Sequence, residues 1–212
     1  MNGPRPLPGP EVYAGVESLG LDVDRQTWDS TDSPIFAEMI AETQPRTIVE
    51  VGSWKGCSAI KMAELTEHLG TKIYCVDTWL ASPEHFVRAN VDYKFPVSAQ
   101  GRPLLYEQFL VNVKAAGYAD RIIPILNTSH NGAQILKFHS VTAELIFIDG
   151  CHDYYPCFAD IEQYWPMLTP GVGQMFGDDF RTFPGVFHAV LRFSHERGAK
   201  FRESGKHWVM KP

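Results

Sequence analysis

From Ser33 onward, short β-branched runs alternate with longer segments of helical period. The first helical segment begins at Ser33-Pro34, where a capping serine precedes a proline at the first helical position. The β-branched runs are TIVEV, KIYCV, RIIPIL, ELIFID and GQMFGDD. Strands and helices in this alternation predict an α/β fold with a doubly wound, mostly parallel sheet.

Two details of the sequence indicate the order of the strands. Proline cannot donate a ladder hydrogen bond, so Pro124 places the third strand at an edge of the sheet. The last segment, KFRESGKHWVMK, turns at Ser204-Gly205 and predicts a C-terminal antiparallel hairpin at the other edge. A seven-stranded sheet in the order 3-2-1-4-5-7-6 satisfies both requirements. It leaves a crevice between strands 1 and 4, where open α/β sheets bind their ligands.

The composition of the N-terminal segment and one long irregular segment define the expected domain organisation. The first twelve residues, MNGPRPLPGPEV, hold four prolines and two glycines, which is typical of extended or disordered chain. We therefore expect residues 1–32 to form an extended N-terminal leader and residues 33–212 to form the domain. Residues 78–104 lack a clear period, and a loop of this length is usually functional. We expect this segment to form a lid or substrate cap.

The composition argues against several classes of protein. The 19 Lys and Arg and 25 Asp and Glu give a formal net charge of −6 without a basic cluster, so nucleic acid is not an expected partner. No apolar run reaches the ~18 residues of a membrane span, and no signal segment opens the chain. The cysteines lie in or beside apolar segments and are interpreted as reduced thiols of a cytoplasmic protein. The sequence leaves open whether the chain forms a homo-oligomer.

The loop after the first strand reads EVGSWKGCS, from Glu50 to Ser58. A dinucleotide-binding loop that begins at Gly52 needs glycine at two positions that are occupied here by Trp54 and Cys57. The middle glycine of that motif lets the backbone approach a pyrophosphate, so tryptophan there argues against NAD or FAD. A nucleoside without phosphates, such as S-adenosylmethionine, has no such requirement. A plain strand-to-helix turn is the alternative interpretation.

Asp77 ends the second strand, 25 positions after Gly52. An acidic residue near this spacing accepts hydrogen bonds from the ribose hydroxyls of a bound nucleoside. Trp79 follows, and its ring suits stacking on adenine and packing in the core equally well. Together with the glycine loop, Asp77 favours a nucleoside site at the carboxyl ends of the first two strands.

Four segments resemble successive motifs of the class I S-adenosylmethionine-dependent methyltransferases. They are IVEVGSWKGCSAIKMAE, YCVDTW, LIFIDGCHDY and LTPGVGQMFGDDF. Within that class they are most similar to the small-molecule methyltransferases grouped with the macrocin O-methyltransferase-like and cephalosporin-hydroxylase-associated families. The resemblance covers residues 45–210. It has two departures, since Trp54 replaces a common glycine and LTPGVG replaces the usual double glycine after the proline.

The resemblance implies how a cofactor is held. It places Glu50, Gly52 and Ser53 around the methionine end. It places Asp77 on the ribose and residues 127–129 beside adenine. All the residues expected at S-adenosylmethionine are Glu50, Gly52, Ser53, Trp54, Gly56, Ser58, Asp77, Thr78, Trp79, Thr128, Ser129 and Asp149.

Three carboxylates end two other strands. Asp149 closes the fourth strand, and Asp178 and Asp179 close the fifth. Adjacent strands lie about 4.8 Å apart, so these carboxylates can converge, and their repulsion favours a cation among them. Oxygen ligands suit Mg²⁺, with Mn²⁺ as a second choice, and metal-dependent O-methyltransferases that resemble this chain use such a triad. The alternative is that Asp178 or Asp179 only caps the following turn.

His152 follows Asp149 at the rim of the same crevice. We predict that it is the general base that accepts the proton of a substrate hydroxyl, with Asp149 as a second group able to take that proton. Contact with the cofactor and capping of the next helix are alternatives for His152, and His85 in the lid is a second candidate base. The spacing of Cys151, His152 and Cys157 matches no standard zinc site.

The sequence thus predicts an Mg²⁺-assisted O-methyltransferase that acts on a small hydroxylated molecule. Residues 78–104, with Tyr93 and Phe95, are expected to shape the substrate pocket. One alternative is a non-catalytic protein of the same fold that binds S-adenosylmethionine or another nucleoside. Another is a nicotinamide-dependent oxidoreductase. The sequence does not separate O-methylation from N-methylation.

Overall fold

A computed structural model describes residues 5–25, 33–87 and 95–212. Within these ranges the strands are β1 (Thr47–Val51), β2 (Lys72–Asp77), β3 (Ile122–Leu126), β4 (Leu145–Ile148), β5 (Gln174–Gly177), β6 (Lys200–Ser204) and β7 (His207–Lys211). They form one seven-stranded sheet in the order β3-β2-β1-β4-β5-β7-β6. Strands β1 to β5 are parallel, and β7 is antiparallel to both β5 and β6. The predicted fold and strand order are confirmed.

The helices of the described ranges are α1 (Ile35–Thr43), α2 (Cys57–Leu65), α3 (Glu84–Val87), α4 (Leu105–Ala115), α5 (Ser129–Phe138), α6 (Tyr154–Tyr164) and α7 (Pro184–Arg197). None of them is long and apolar enough to cross a membrane. The sequence analysis missed α5, in which Gly132 weakens the helical signal. A Cβ at Gly132 would lie 2.3 Å from Cγ1 of Val76. The glycine therefore lets α5 pack closely on β2.

The sheet is covered by helices on both faces. Buried residues of α1, α2 and α4 pack on one face, and those of α5, α6 and α7 pack on the other. Successive strand residues point to opposite faces. Ile48 accordingly belongs to the first hydrophobic cluster and Val49 to the second. The residues that follow the carboxyl ends of the parallel strands position the site.

The N-terminal segment differs from the expected extended leader. Short 3-10 helices form at Pro10–Tyr13 and Val16–Leu19, and Tyr13 is only 2% exposed. The Tyr13 hydroxyl donates a hydrogen bond of 2.7 Å to the carbonyl of Ile122. The proline-rich composition indicated extended chain and gave no sign that Tyr13 is buried. Residues 5–25 therefore pack on the domain and do not form an extended leader. Residues 1–4 and 26–32 of the predicted leader lie outside the described ranges.

Candidate active site

The loop after β1 turns through three residues with left-handed backbone. Gly52, Trp54 and Gly56 have φ angles of 85°, 46° and 83°. A Cβ on Gly52 would lie 2.1 Å from the carbonyl oxygen of Asp149, just after β4. Glycine therefore lets the β1 loop lie directly against the end of β4. This contact is at the crevice that the strand order predicted.

Asp77 anchors the backbone of the loops that follow β1 and β2. Its Oδ2 accepts hydrogen bonds from the backbone N–H groups of Ser53 (2.8 Å) and Trp54 (2.9 Å), and its Oδ1 accepts one from Trp79 (2.8 Å). A carboxylate has about four acceptor positions, so the hydrogen bonds of the described residues leave one, on Oδ1. Two ribose hydroxyls would have to displace one of these amides. Asp77 thus has a structural role that the sequence did not reveal.

Glu50 lies behind the loop and is 0% exposed. Its two carboxylate oxygens accept hydrogen bonds from the hydroxyls of Ser53 (2.6 Å) and Ser58 (2.5 Å). Burial raises the pKa of Glu50 from 4.5 to about 7, although the two serine hydroxyls oppose this shift. Glu50 is therefore buried and holds the serine side chains of the loop and of the first turn of α2.

The two tryptophans near the crevice have different roles. Trp79 is 2% exposed and packs against the rings of Tyr106 and Phe109, with centroids 5.0 and 4.8 Å away. Its Nε1 donates a 2.8 Å hydrogen bond to the carbonyl of Trp54. The core alternative is therefore correct for Trp79, and its ring is not available to adenine. The ring of Trp54 instead stacks on His85, with centroids 4.4 Å apart.

The expected lid is described for residues 78–87 and 95–104. The Thr78 hydroxyl accepts a hydrogen bond from the N–H of Leu80 at 3.3 Å. Phe95 packs edge-on against Trp54 at 5.7 Å, so this segment contacts the β1 loop. Nδ1 of His85, the second candidate base, accepts a 2.8 Å hydrogen bond from the N–H of Ser82. Tyr93 lies outside the described ranges.

The loop after β3 carries the residues that were expected beside adenine. The Thr128 hydroxyl caps α5 by accepting from the N–H of Asn131 at 3.2 Å. Asn127 Oδ1 accepts from the N–H of Thr128 (3.0 Å) and from the side-chain amide of Asn131 (2.8 Å). The Ser129 hydroxyl is hydrogen-bonded to the carboxylate of Asp160. The side-chain oxygens of Asn127 and Thr128 are thus used by the helix cap.

Asp160 is a residue of this region that the sequence analysis missed. It lies on α6 and is 4% exposed. Burial raises its pKa from 3.8 to about 6, and the hydrogen bond with Ser129 limits the rise. Asp160 precedes Tyr164 by one helical turn and follows Cys157 by three residues, both of them buried. An acidic residue within an apolar helical face was the signal that could have identified it.

Asp149, His152 and Asp179 converge beside the β1 loop. One potential ligand atom from each lies within 4.8 Å of those of the other two. Nε2 of His152 is 3.0 Å from Oδ2 of Asp179, and the imidazole stacks on Phe183 at 4.2 Å. Asp179 has a left-handed φ of 63°, which departs from the strand geometry of β5. The structure therefore brings together three of the residues predicted for catalysis or metal binding.

The electrostatics of this cluster are dominated by burial and by repulsion between carboxylates. Burial, followed by the negative charges of Asp178 and Asp179, raises the pKa of Asp149 well above its ordinary value. Burial also acts to raise the pKa of Asp179, but the hydrogen bond and charge of His152 outweigh it and leave that pKa below its ordinary value. Burial and the neighbouring carboxylates therefore disfavour the ionised form of Asp149 unless a positive charge lies beside it.

Asp178, the third aspartate of the predicted metal set, is not among the three residues of this cluster, although its charge acts on Asp149. Its Oδ2 is 3.1 Å from Nζ of Lys206, and its Oδ1 accepts from the N–H of Asp179 at 2.7 Å. The carboxylate therefore pairs with the hairpin between β6 and β7 and caps the turn after β5. His152 takes the third position instead. Both aspartates follow the end of β5, and the left-handed φ of Asp179 directs the two side chains differently.

Comparison with known proteins identifies the class that this fold and site define. The sheet order, the glycine loop after β1 and the acidic residue that ends β2 are those of class I S-adenosylmethionine-dependent methyltransferases. Residues 49–180 match the model of a family described as a methyltransferase domain. Because this match spans more than half of the chain, the protein belongs to that family of methyltransferase domains.

Three solved structures are similar to this fold. CalS11, a calicheamicin methyltransferase, has a TM-score of 0.62 at 21% identity, covering 86% of this chain and 77% of its own. An O-methyltransferase from Bacillus cereus, in complex with SAH, has a TM-score of 0.59 at 15% identity, covering 94% and 86%. SAH-bound PaMTH1 of Podospora anserina has a TM-score of 0.60 at 16% identity, covering 95% and 86%. At these identities the similarity establishes the fold.

A sequence relative is also found in a virus. An uncharacterised protein of Acanthamoeba polyphaga mimivirus is 29% identical over 154 residues, which is 70% of this chain. This chain spans about three fifths of that relative, as the match covers 59% of its length.

Proposed function

We propose that this protein transfers a methyl group from S-adenosylmethionine to a hydroxyl of a small molecule, with a divalent cation held at Asp149 and Asp179. The observation that carries the proposal is the position of the Asp149–His152–Asp179 cluster beside the β1 loop. Gly52 lies against the backbone of Asp149, so a ligand on that loop is next to the cluster. The SAH-bound neighbours of the same fold support the choice of cofactor.

The cofactor is proposed to lie along the carboxyl ends of β1, β2 and β3. The backbone of residues 52–56 faces its methionine end, and Glu50 acts on that loop through two serine hydroxyls. The remaining acceptor position of Asp77 suits one ribose hydroxyl. Ser129 lies where adenine is expected. Trp79, which is in the core, is left out of this assignment.

His152 is the residue best placed to accept the proton of the substrate hydroxyl. Asp179 orients its imidazole and stabilises the protonated form, and Phe183 fixes the plane of the ring. When bound, S-adenosylmethionine supplies an electrophilic methyl group on a sulfonium. The chain must align the hydroxyl with that group and exclude water. His152 then takes the proton as the carbon–oxygen bond forms and the carbon–sulfur bond breaks.

The donor set of the cluster fits a divalent cation. Asp149 and Asp179 offer carboxylate oxygens, which Mg²⁺ prefers and Mn²⁺ accepts. The pKa of Asp149 is raised by burial and by neighbouring negative charge, and a cation would offset both effects. A cation held by these residues would lower the pKa of a hydroxyl that coordinates it. We therefore propose Asp149 and Asp179 as its protein ligands.

Mn²⁺ binding, followed by electron paramagnetic resonance, tests the cation site without knowledge of the acceptor. Wild-type protein is expected to bind Mn²⁺, and Asp149→Asn is expected to weaken binding by at least about tenfold, since it removes a charged ligand. Asp178→Asn is the matched control, expected to stay within about threefold because Asp178 pairs with Lys206. An equal loss of Mn²⁺ affinity in both variants would indicate that Asp149, Asp178 and Asp179 all bind the cation. No Mn²⁺ binding to wild type would remove the cation from the proposal.

Catalysis is tested with a panel of small diols and catechols. Release of S-adenosylhomocysteine from S-adenosylmethionine in the presence of an acceptor would separate a methyltransferase from a binding protein of the same fold. Wild type and His152→Ala are compared on any acceptor that is found. Equal turnover of the two would contradict the role of His152 as base.

A further inference from the structure

The carboxylate of Asp160 lies between the loops that follow β3 and β4. On one side it is hydrogen-bonded to the hydroxyl of Ser129. On the other side, a Cβ built on Gly150 would be 3.2 Å from its Oδ2, so the carboxylate lies close to the backbone after Asp149. The hydroxyl of Tyr164 donates to the carbonyl of Ser129 at 2.8 Å and fixes the backbone at this point. Ser129 is therefore held through both its hydroxyl and its carbonyl.

The charge state of Asp160 determines which way the hydroxyl of Ser129 points. The pKa of Asp160 is about 6, so above pH 7 its carboxylate is mostly ionised and can only accept hydrogen bonds. The single proton of Ser129 must then point at Asp160. The lone pairs of the Ser129 oxygen remain directed elsewhere, as acceptors.

Ser129 also differs from the two residues before it. The side-chain oxygens of Asn127 and Thr128 already accept hydrogen bonds from the first turn of α5. Ser129 is instead half-buried, and its hydroxyl donates its proton to the hydrogen bond with the buried Asp160 carboxylate. With its proton on Asp160, the Ser129 oxygen keeps its lone pairs as acceptors, whereas the side-chain oxygens of Asn127 and Thr128 accept from backbone or side-chain N–H groups of residues 128 and 131.

We propose that Asp160 is a positioning residue that makes the site select a 6-aminopurine over a 6-oxopurine. Resting on the proposed function, this inference concerns the adenine end of S-adenosylmethionine. An adenine amino group can donate to the oriented oxygen of Ser129. A hypoxanthine carbonyl in the same place offers no donor and faces a second lone pair, so a hydrogen bond is lost.

Calorimetric titration at pH 8 with S-adenosylhomocysteine and its deaminated analogue, S-inosylhomocysteine, tests this role. Wild type is expected to bind the amino form at least about tenfold more tightly. In Asp160→Asn the amide can donate to Ser129 as well as accept from it, so the ratio is expected to fall below about threefold. Ser129→Ala is expected to give the same low ratio. Glu162→Gln, an exposed change on the same helix, is the matched control and should keep the wild-type ratio.

Equal binding of the two ligands by wild type overturns the role of Asp160 and leaves the proposed function standing. A folded Asp160→Asn protein that keeps the full ratio also overturns it. If a thermal melt shows that Asp160→Asn does not fold, the test rests on Ser129→Ala. A Ser129→Ala protein that keeps the wild-type ratio of the two affinities overturns the inference. Absence of any binding by wild type overturns the proposed function and this inference with it.

Discussion

Asp77→Ala is expected to weaken S-adenosylhomocysteine binding by at least about a hundredfold and to destabilise the fold. Three backbone N–H groups, of Ser53, Trp54 and Trp79, lose their acceptor in this variant. Hydrogen bonds to a charged acceptor contribute ~1.5–3 kcal/mol each, and partial exposure of Asp77 reduces that contribution, so we expect a loss of about 3 kcal/mol in the free energy of unfolding. Calorimetry and urea denaturation measure the two effects.

The matched control for this variant is Asp120→Ala, which removes an exposed carboxylate just before β3. We expect no change in ligand affinity and a stability within about 0.5 kcal/mol of wild type. A folded Asp77→Ala protein with wild-type affinity would contradict the position of the ribose. Lost affinity with unchanged stability would mean that the three amide hydrogen bonds do not hold the loop.

Glu50→Gln is expected to stabilise the protein at high pH. The pKa of Glu50 in the folded protein, about 7, lies above its ordinary 4.5. A group with a raised pKa contributes stability that is complete below the ordinary value and is lost as the pH rises through the folded value. One pKa unit corresponds to 1.36 kcal/mol, so ionised Glu50 costs wild type about 3 kcal/mol above pH 7. Glutamine carries no charge and avoids that cost.

Urea denaturation at pH 5 and pH 8 measures this effect. The stability of Glu50→Gln relative to wild type should rise by about 2 kcal/mol between the two pH values, because most of the titration falls between them. Glu64→Gln, an exposed change on α2, should follow the pH dependence of wild type. A constant difference between Glu50→Gln and wild type would show that Glu50 is not a buried, perturbed carboxyl. We also expect weaker S-adenosylhomocysteine binding, because Glu50 orients the loop serines.

The fold was predictable where single residues have strong physical consequences. Pro124 lacks the N–H group that a central strand needs, so β3 lies at one edge of the sheet. The C-terminal hairpin takes the other edge, and the strand order followed from these two features. The sequence was less informative about elements whose position depends on tertiary packing. Gly132 allows α5 to approach β2, yet the same residue weakened the helical pattern. Tyr13 is an anchor of the N-terminal segment, but it lies next to a proline-rich run that is typical of extended chain.

The site was predictable at the level of strand ends and less so at the level of contacts. Asp77 ends β2, and Asp149 and Asp179 follow the ends of β4 and β5, so the parallel strands bring all three to one edge of the sheet. Which of two adjacent aspartates faces the crevice depends on backbone angles, and the left-handed φ of Asp179 turns that residue away from strand geometry. The role of Asp160 depends on a contact between a helix and a loop that are far apart in sequence. No local pattern predicts such a contact.

The most direct measurement is a crystal structure of the protein with S-adenosylhomocysteine bound. We expect the homocysteine portion against the backbone of residues 52–56, one ribose hydroxyl within hydrogen-bonding distance of Asp77, and adenine beside Ser129. The sulfur should face the side on which Asp149, His152 and Asp179 converge. A ligand bound away from these three loops, or with its sulfur turned away from that cluster, would contradict the proposed methyltransferase site.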